Sequence, residues 1–337
     1  MPPTFPPIRA YPNATRYRRG DAAGHYESFF QRANHPTRPL AFWIRYTIFS
    51  PAGRPRDAVG ELWAIHFDGE TGEHVAVKTE RPIAECRFGE RDLHAEIAGA
   101  TLVPGELKGE AASGGHKLDW DLRFEGDEPP VLFLAEKLIE GRFPRAKGLV
   151  PRPMVTYGGV LEVDGRRVEI DGWIGSQNHN WGSRHTDHYA WGQVQGFDEH
   201  ARSYLEVLTA RLRYGPLWTP FMTPLVLRHG GRELVFNTVQ GALRTRGRFR
   251  PFHWEFAART REVSIEGAIW APRDAFVGLR YNNPPGGFKH CLNTKIASAE
   301  VIVDDQRSGQ RDVLTSRHRA AFEILTDDRS HGVEIRA

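Results

Sequence analysis

The stretch Phe42-Trp43-Ile44-Arg45-Tyr46-Thr47-Ile48-Phe49, closed by Pro51-Ala52-Gly53, is rich in aromatic and β-branched residues and stops at a turn signal, so it reads as a strand. Gly60-Glu61-Leu62-Trp63-Ala64-Ile65-His66-Phe67 repeats the pattern and ends at Asp68-Gly69. Working outward, residues 74–78, 93–97 and 117–124 have the same character. Past the middle, Gly159-Val160-Leu161-Glu162-Val163 and Val168-Glu169-Ile170-Asp171-Gly172-Trp173 flank Asp164-Gly165, a dipeptide suited to a tight hairpin turn. Further strands are expected at 190–197, 203–212, 225–228, 233–236, 253–258, 263–270, 289–303 and 321–324. Helical periodicity is almost absent, residues 317–322 being at most one helical turn. Many short strands separated by glycine turns predict an all-β protein of the barrel or sandwich kind.

The 337 residues suit two domains of about 100–200 residues each. Hydrophobic residues at 40% and charged residues at 26% exclude a disordered or fibrous chain. Residues 1–20, rich in Pro and Arg, are expected to form an extended lead-in. Residues 139–153 lose the strand alternation and carry three prolines, which places a boundary at 150, between barrels of 21–150 and 151–337. Exposed β edges suggest a homodimer.

Forty-five Lys and Arg against 42 Asp and Glu leave a charge of +3, spread over scattered arginines. The densest group, Arg244-Thr245-Arg246-Gly247-Arg248-Phe249-Arg250, reads as a solvated hairpin edge that resists edge pairing, and no nucleic-acid partner is expected. Cys86 and Cys291 fit neither a disulfide framework nor a metal site and are expected to be reduced. The N-terminal Met1-Pro2-Pro3-Thr4-Phe5-Pro6-Pro7 is no secretory signal. No run nears the roughly 18 apolar residues of an integral membrane segment, so a cytoplasmic protein is expected, with peripheral membrane contact left open.

The chemistry is concentrated in residues 172–197, which hold three histidines and three tryptophans among many amides. Alternate side chains of a strand share a face, so Gln177, His179 and Trp181 should project together, as should Trp191, Gln193 and Gln195, and Tyr204, Glu206 and Leu208. Leu205 and Val207 occupy the opposite face, and the pattern leaves open which face looks inward. A cavity-facing Glu206 would be desolvated, its pKa raised, and fit to act as a general acid. His179, His185 and His188 with Asp187 are spaced by six and three residues and lack the paired spacing of zinc sites, so no metal is expected. His185 and His188 read as loop surface. The chain has no nucleophile elbow, phosphate loop or dinucleotide fingerprint, and no cofactor is expected.

At His179-Asn180-Trp181-Gly182 the chain resembles the double-lipocalin family of carotenoid 1,2-hydratases (hydroxyneurosporene synthases) and AttH-like proteins, and more distantly tocopherol cyclase and fungal Diels–Alderases. Supporting marks are Gly172-Trp173-Ile174-Gly175, Tyr189-Ala190-Trp191-Gly192 and Asn293-Thr294-Lys295-Ile296-Ala297. The resemblance implies two tandem lipocalin-like antiparallel barrels with a hydrophobic pocket at or near their interface. It also implies chemistry in which an acid protonates an alkene and water traps the cation. His179 and Trp181 fall on the motif, and Tyr204-Leu205-Glu206 is similar to the family's Tyr-x-Asp pair, with Glu for Asp. The expectation is a cofactor-independent lyase, hydratase or isomerase acting on a hydrophobic small molecule. In it His179 is an acid/base, Glu206 the acid and Tyr204 its hydrogen-bonding partner. Gln177, Asn178, Arg184, Gln193 and Gln195 hold substrate between Trp181 and Trp191. The absence of an apolar anchor points to a terpenoid, steroid or aromatic substrate. A non-catalytic carrier, or a cyclase or pericyclase, are the alternatives.

Overall fold

The computed structural model describes residues 6–337, apart from the side chains of Leu243 and Arg244. Residues 1–5 of the expected lead-in and the Arg244 side chain therefore lie outside the described residues. The first eleven strands are β1 (His25–Asn34), β2 (Leu40–Ser50), β3 (Val59–Asp68), β4 (Val75–Pro82), β5 (Arg87–Phe88), β6 (Ala95–Ile97), β7 (Ala100–Val103), β8 (Glu106–Ser113), β9 (His116–Glu125), β10 (Ala146–Val163) and β11 (Arg166–Gly182). They form one antiparallel sheet in the order 4-3-2-1-11-10-9-8-7-6-5. The sheet curls until β4 meets β8, where the Lys78 amide donates to Ser113 Oγ (3.0 Å) and the Ala112 amide to Thr79 Oγ1 (3.2 Å). Phe42, Tyr46, Leu62, Trp120, Tyr157 and Trp173 fill the interior.

The second sheet takes β12 (His188–Gln195), β13 (Tyr204–Arg211), β16 (Leu225–His229), β17 (Arg232–Phe236), β18 (Arg246–Arg250), β19 (His253–Arg259), β20 (Val263–Trp270), β22 (Phe288–Asp305) and β23 (Gln310–Thr326), ordered 17-16-13-12-23-22-20-19-18, with β21 (Val277–Asn282) also paired to β22. A small ribbon of β14 (Arg213–Tyr214) and β15 (Leu217–Trp218) lies apart. This sheet curls until β18 and β19 approach β13. Trp254 Nε1 donates to Thr209 Oγ1 (3.0 Å), and a Cβ at Gly247 would sit 1.8 Å from that oxygen, so β18 needs glycine there. The only α-helices among the described residues are α1 (Glu136–Glu140) and α2 (Val239–Arg244). The all-β, lipocalin-like architecture is as expected, and none of these helices is long and apolar enough to cross a membrane.

The change of sheet falls at residues 183–187 and not at 150. Pro151 and Pro153 lie inside β10, where the register with β11 shifts between Leu149 and Arg152 and again before Val155. Bulges are where a strand accommodates proline. The His179-Asn180-Trp181-Gly182 motif therefore closes the first sheet and does not belong to the second. Asp164 and Gly165 form the β10–β11 turn, with φ of 50° and 79°. Residues 317–322 are strand and not helix, interrupted at His318 (φ 62°). Both cysteines are free and buried. Arg246, Arg248 and Arg250 point outward on β18 at the end of the second sheet.

One strand escaped the alternation rule. β1 lies at the seam between the barrels, with Phe29 and Ala33 in the first core and Phe30 in the second. Fully buried Arg32 reaches across to the Gln193 carbonyl (3.4 Å) and to Gln195 Oε1, and Asn34 Nδ2 donates to the Lys295 carbonyl (2.6 Å). Two dry faces erase the polar–apolar alternation that marks a half-buried strand.

Candidate functional site

The alternation of β11 divides its motif between two environments. On one face, the His179 ring stacks on Phe29 with centroids 4.3 Å apart and is fully buried. Its Nδ1 lies 2.7 Å from the Pro12 carbonyl and its Nε2 2.8 Å from Glu27 Oε1. Both neighbours accept, so both ring nitrogens must donate. Glu27 also takes the Arg16 amide on both oxygens (2.8 and 2.9 Å), the Thr15 hydroxyl (3.0 Å) and His25 Nε2 (3.0 Å). Burial raises the Glu27 pKa, but hydrogen bonds and charge from His179 and His25 outweigh it and hold the carboxylate down to about 2. Beside this clasp, Gln177 Nε2 donates to Asn13 Oδ1 (2.6 Å) and Trp181 packs on Ile8, Ile139 and Leu149. Gln177, His179 and Trp181 do share a face, and residues 8–16 cover it.

The other face looks toward the second sheet. Asn178 Nδ2 donates to Ser176 Oγ (2.8 Å), Ser176 Oγ to Gln193 Oε1 (2.8 Å), and Gln193 Nε2 to both Asn178 Oδ1 (2.9 Å) and the Tyr204 hydroxyl oxygen (3.1 Å). Tyr204 in turn donates to Glu206 Oε2 (3.1 Å), and Trp191 Nε1 donates to Glu206 Oε1 (3.1 Å). The chain of bonds thus runs from the motif strand of one barrel to a single carboxyl group on the other.

Glu206 is 5% exposed and opens on a cavity of about 220 Å³ between the sheets. Phe30, Phe133, Leu138, Leu208, Met222 and Val239 supply most of its apolar wall, with Asn178, Tyr189, Trp191 and Glu323 among the polar contributors. Leu138 of α1 and Val239 and Ala242 of α2 form part of its wall. Burial in this wall pushes the Glu206 carboxyl up to about 7, against the pull of the Trp191 and Tyr204 hydrogen bonds. Trp191 Nε1 can only donate, and Tyr204 already accepts from Gln193, so its hydrogen belongs to Glu206. Neither partner is left to accept a proton from Glu206.

The structure brings Asn178, Trp191, Gln193, Tyr204 and Glu206 together and settles the open question of the β13 face: Leu205 and Val207 enter the second core. His179 borders the cavity, but both its ring nitrogens are engaged on the far side. Gln195 turns to Arg32, and Arg184 pairs with Asp187 (2.5 Å) outside the cavity wall. His185 is not loop surface: it is buried between Tyr26 (4.0 Å) and Tyr281 (5.7 Å), where desolvation and the nearby Arg45 charge push it down to about 3. Sequence reasoning missed Glu323, whose Oε1 takes Lys295 Nζ (2.6 Å), and Arg45 beside it. Their signal was a charged side chain interrupting an apolar strand, in Phe42-Trp43-Ile44-Arg45 and Ala321-Phe322-Glu323-Ile324.

An AttH-type protein of Nitrosomonas europaea (NE1406) superposes on the chain with a TM-score of 0.61 at 12% identity, over 97% of this chain and 98% of that one. The fold is the AttH-like double lipocalin. Kievitone hydratase from Nectria haematococca follows with a TM-score of 0.53 at 10% identity and 96% of both chains, and CghA with Sch210972 with 0.51 at 10% over 90% and 89%. In sequence, the uncharacterized protein Rv0493c of Mycobacterium tuberculosis is 25% identical over 288 residues, which is 83% of this chain and 82% of that protein. No family model matches the chain.

Proposed function

We propose that the chain is a cofactor-independent enzyme of the hydratase, lyase or isomerase kind. Its substrate is a hydrophobic small molecule bound between the barrels, and Glu206 is the proton donor. The observation that carries this reading is a buried carboxyl group lining an apolar cavity, raised to about 7 by burial, with its two oxygens held by donors from Trp191 and Tyr204. A general acid works best with a pKa near the working pH.

In the forward direction, the alkene π pair takes the Glu206 proton and forms a C–H bond, leaving a cation on the neighbouring carbon. The aromatic faces of Trp191 and Tyr189 and the carboxylate left behind stabilise that cation. Water adds to it, and the proton that water sheds restores Glu206. Elimination runs the same steps in reverse. Tyr204, Gln193 and Asn178 position the acid, while His179 holds the motif strand through Glu27 and Pro12. The kinship in fold with kievitone hydratase is compatible with this reading and does not define the substrate.

Incubation of wild type and Glu206→Gln with terpenoid, steroid and aromatic alkenes, followed by mass spectrometry, tests the proposal. Wild type is expected to add or remove one water, or to isomerise a compound, with the variant slower by about 100-fold or more. An unchanged compound retained equally by both proteins leaves a carrier, and a Glu206→Gln variant at full rate removes Glu206 from the chemistry.

A further inference from the structure

Next to the apolar cavity is an annex of about 50 Å³ lined by Trp43, Arg45, His185 and Tyr281. Tyr26, Phe30, Asn180, Thr186, Tyr189 and Glu323 border both spaces. Arg45, on β2, is 5% exposed. Its Nε and Nη2 both donate to one oxygen, Ser28 Oγ (2.8 and 2.6 Å), and its guanidinium carbon lies 4.6 Å from the Tyr281 ring centre. Among the described residues no carboxylate bonds to it. The two acidic groups whose charge reaches it are bonded to lysines and not to Arg45, Glu323 to Lys295 (2.6 Å) and Glu61 to Lys78 (2.8 Å), which is itself shared with Glu80 (2.5 Å). Arg45 is, among the described residues, the one guanidinium of the annex wall, supported by the charge of Glu323 and Glu61 but bonded directly to neither. The Tyr281 hydroxyl, on a residue 6% exposed, has only the Cys291 thiol, a weak partner, beside it, and Asn180 Oδ1 has no hydrogen-bond partner.

A buried guanidinium bonded only to one hydroxyl gains from a directly bonded anion, and a buried hydroxyl whose one partner is a thiol gains from a stronger acceptor. One carboxylate serves both: it accepts from the guanidinium edge and from the Tyr281 O–H, and it brings a negative charge into direct contact with Arg45. A group of that size suits the annex, whereas the adjoining apolar cavity suits hydrocarbon. We infer that the ligand is an amphipathic carboxylic acid, with its carboxylate seated on Arg45 and Tyr281 and its apolar body lying beside Glu206. This rests on the reading of the interbarrel cavity as the substrate site and gives the substrate its chemical class. It also fixes the substrate's orientation, because the reacting carbons must lie along the apolar body, away from the acid head.

The test is calorimetric titration with matched pairs, at a pH where the acids are ionised: decanoic acid and methyl decanoate, 4-butylbenzoic acid and its methyl ester, farnesoic acid and its methyl ester. At least one acid is expected to bind wild type about tenfold or more tighter than its ester. That preference should persist in Glu206→Gln and fall to within about twofold in Arg45→Gln. Tyr281→Phe removes only a hydroxyl whose one partner is the weakly bonding Cys291 thiol, so it should fold, and it should weaken the acid by roughly threefold or more while leaving the ester unchanged. Equal affinity for acid and ester, failure of every pair to bind, survival of the preference in Arg45→Gln, or unchanged acid affinity in Tyr281→Phe would each overturn the inference. Glu206-dependent turnover of neutral compounds without acid preference sinks the head seat alone. Acid preference without Glu206-dependent turnover sinks the catalytic reading and leaves an acid carrier.

Discussion

Glu206 and His179 are both buried ionisable residues, on β13 of the second sheet and β11 of the first, and they should respond to substitution in opposite ways. The folded pKa of Glu206 is about 7 against an ordinary 4.5, so the folded state binds more protons than the unfolded one between those values. Its contribution to stability is present below pH 4.5 and is lost as pH rises through 7. Glu206→Gln is therefore expected to be more stable than wild type at pH 8, by on the order of 3 kcal/mol at most, with activity lost. Thermal unfolding at pH 5 and pH 8 checks this, and equal melting of both proteins at pH 8 would contradict it. His179→Ala leaves the Glu27 carboxylate buried with its main partner gone and should cost about 3–5 kcal/mol. Below its melting range it should keep much of its kcat, a result that a catalytic imidazole would not allow.

At the scale of elements, what could be read beforehand depended on whether a strand has a wet face. β2, β3, β12 and β13 were legible from aromatic and β-branched composition, and the β10–β11 turn from Asp164-Gly165. β1 was not, because Glu27, Phe29, Phe30, Gln31 and Arg32 are all buried, some against each barrel. The prolines of β10 imitated a linker because a bulge and a domain boundary tolerate the same residue. The motif was found, and the pairing of Tyr204 with Glu206 was anticipated, but alternation alone could not tell that His179 looks at residues 12–16 while Asn178 looks at Gln193. The partners Pro12 and Glu27 lie 167 and 152 residues away in sequence. Removing residues 1–16 is expected to lower the melting temperature and expose Trp181 to quenching by acrylamide. Unchanged melting and fluorescence would mean that the lead-in does not support the motif strand.

For the whole molecule, the buried histidines set the acid limit. Burial holds His66 down to about 4 and His185 down to about 3, below the ordinary 6.5, so the unfolded state binds the extra protons as pH falls. Stability should decline below about pH 6.5, through 4 and then 3, and Glu27 adds a further loss between 4.5 and 2. Glu206 acts in the other direction between pH 4.5 and 7, where it offsets part of the histidine loss and lowers stability as pH rises past 6.5, so maximum stability is expected near pH 6.5. Urea titrations across pH 4 to 8 measure it, and a stability that keeps rising down to pH 4 would contradict the assignment.

The two-sided strand β11 also dictates a signature that no single variant would reveal. In a saturation scan of residues 176–182 scored separately for protein abundance and for product, the two readouts should alternate along the chain. Odd positions 177, 179 and 181 should deplete folded protein most, whereas substitutions of similar size at even positions 176, 178 and 180 should cost product more than abundance. A period of two in a genetic dataset would then report, without any coordinates, that one seven-residue word is read by two different parts of the molecule.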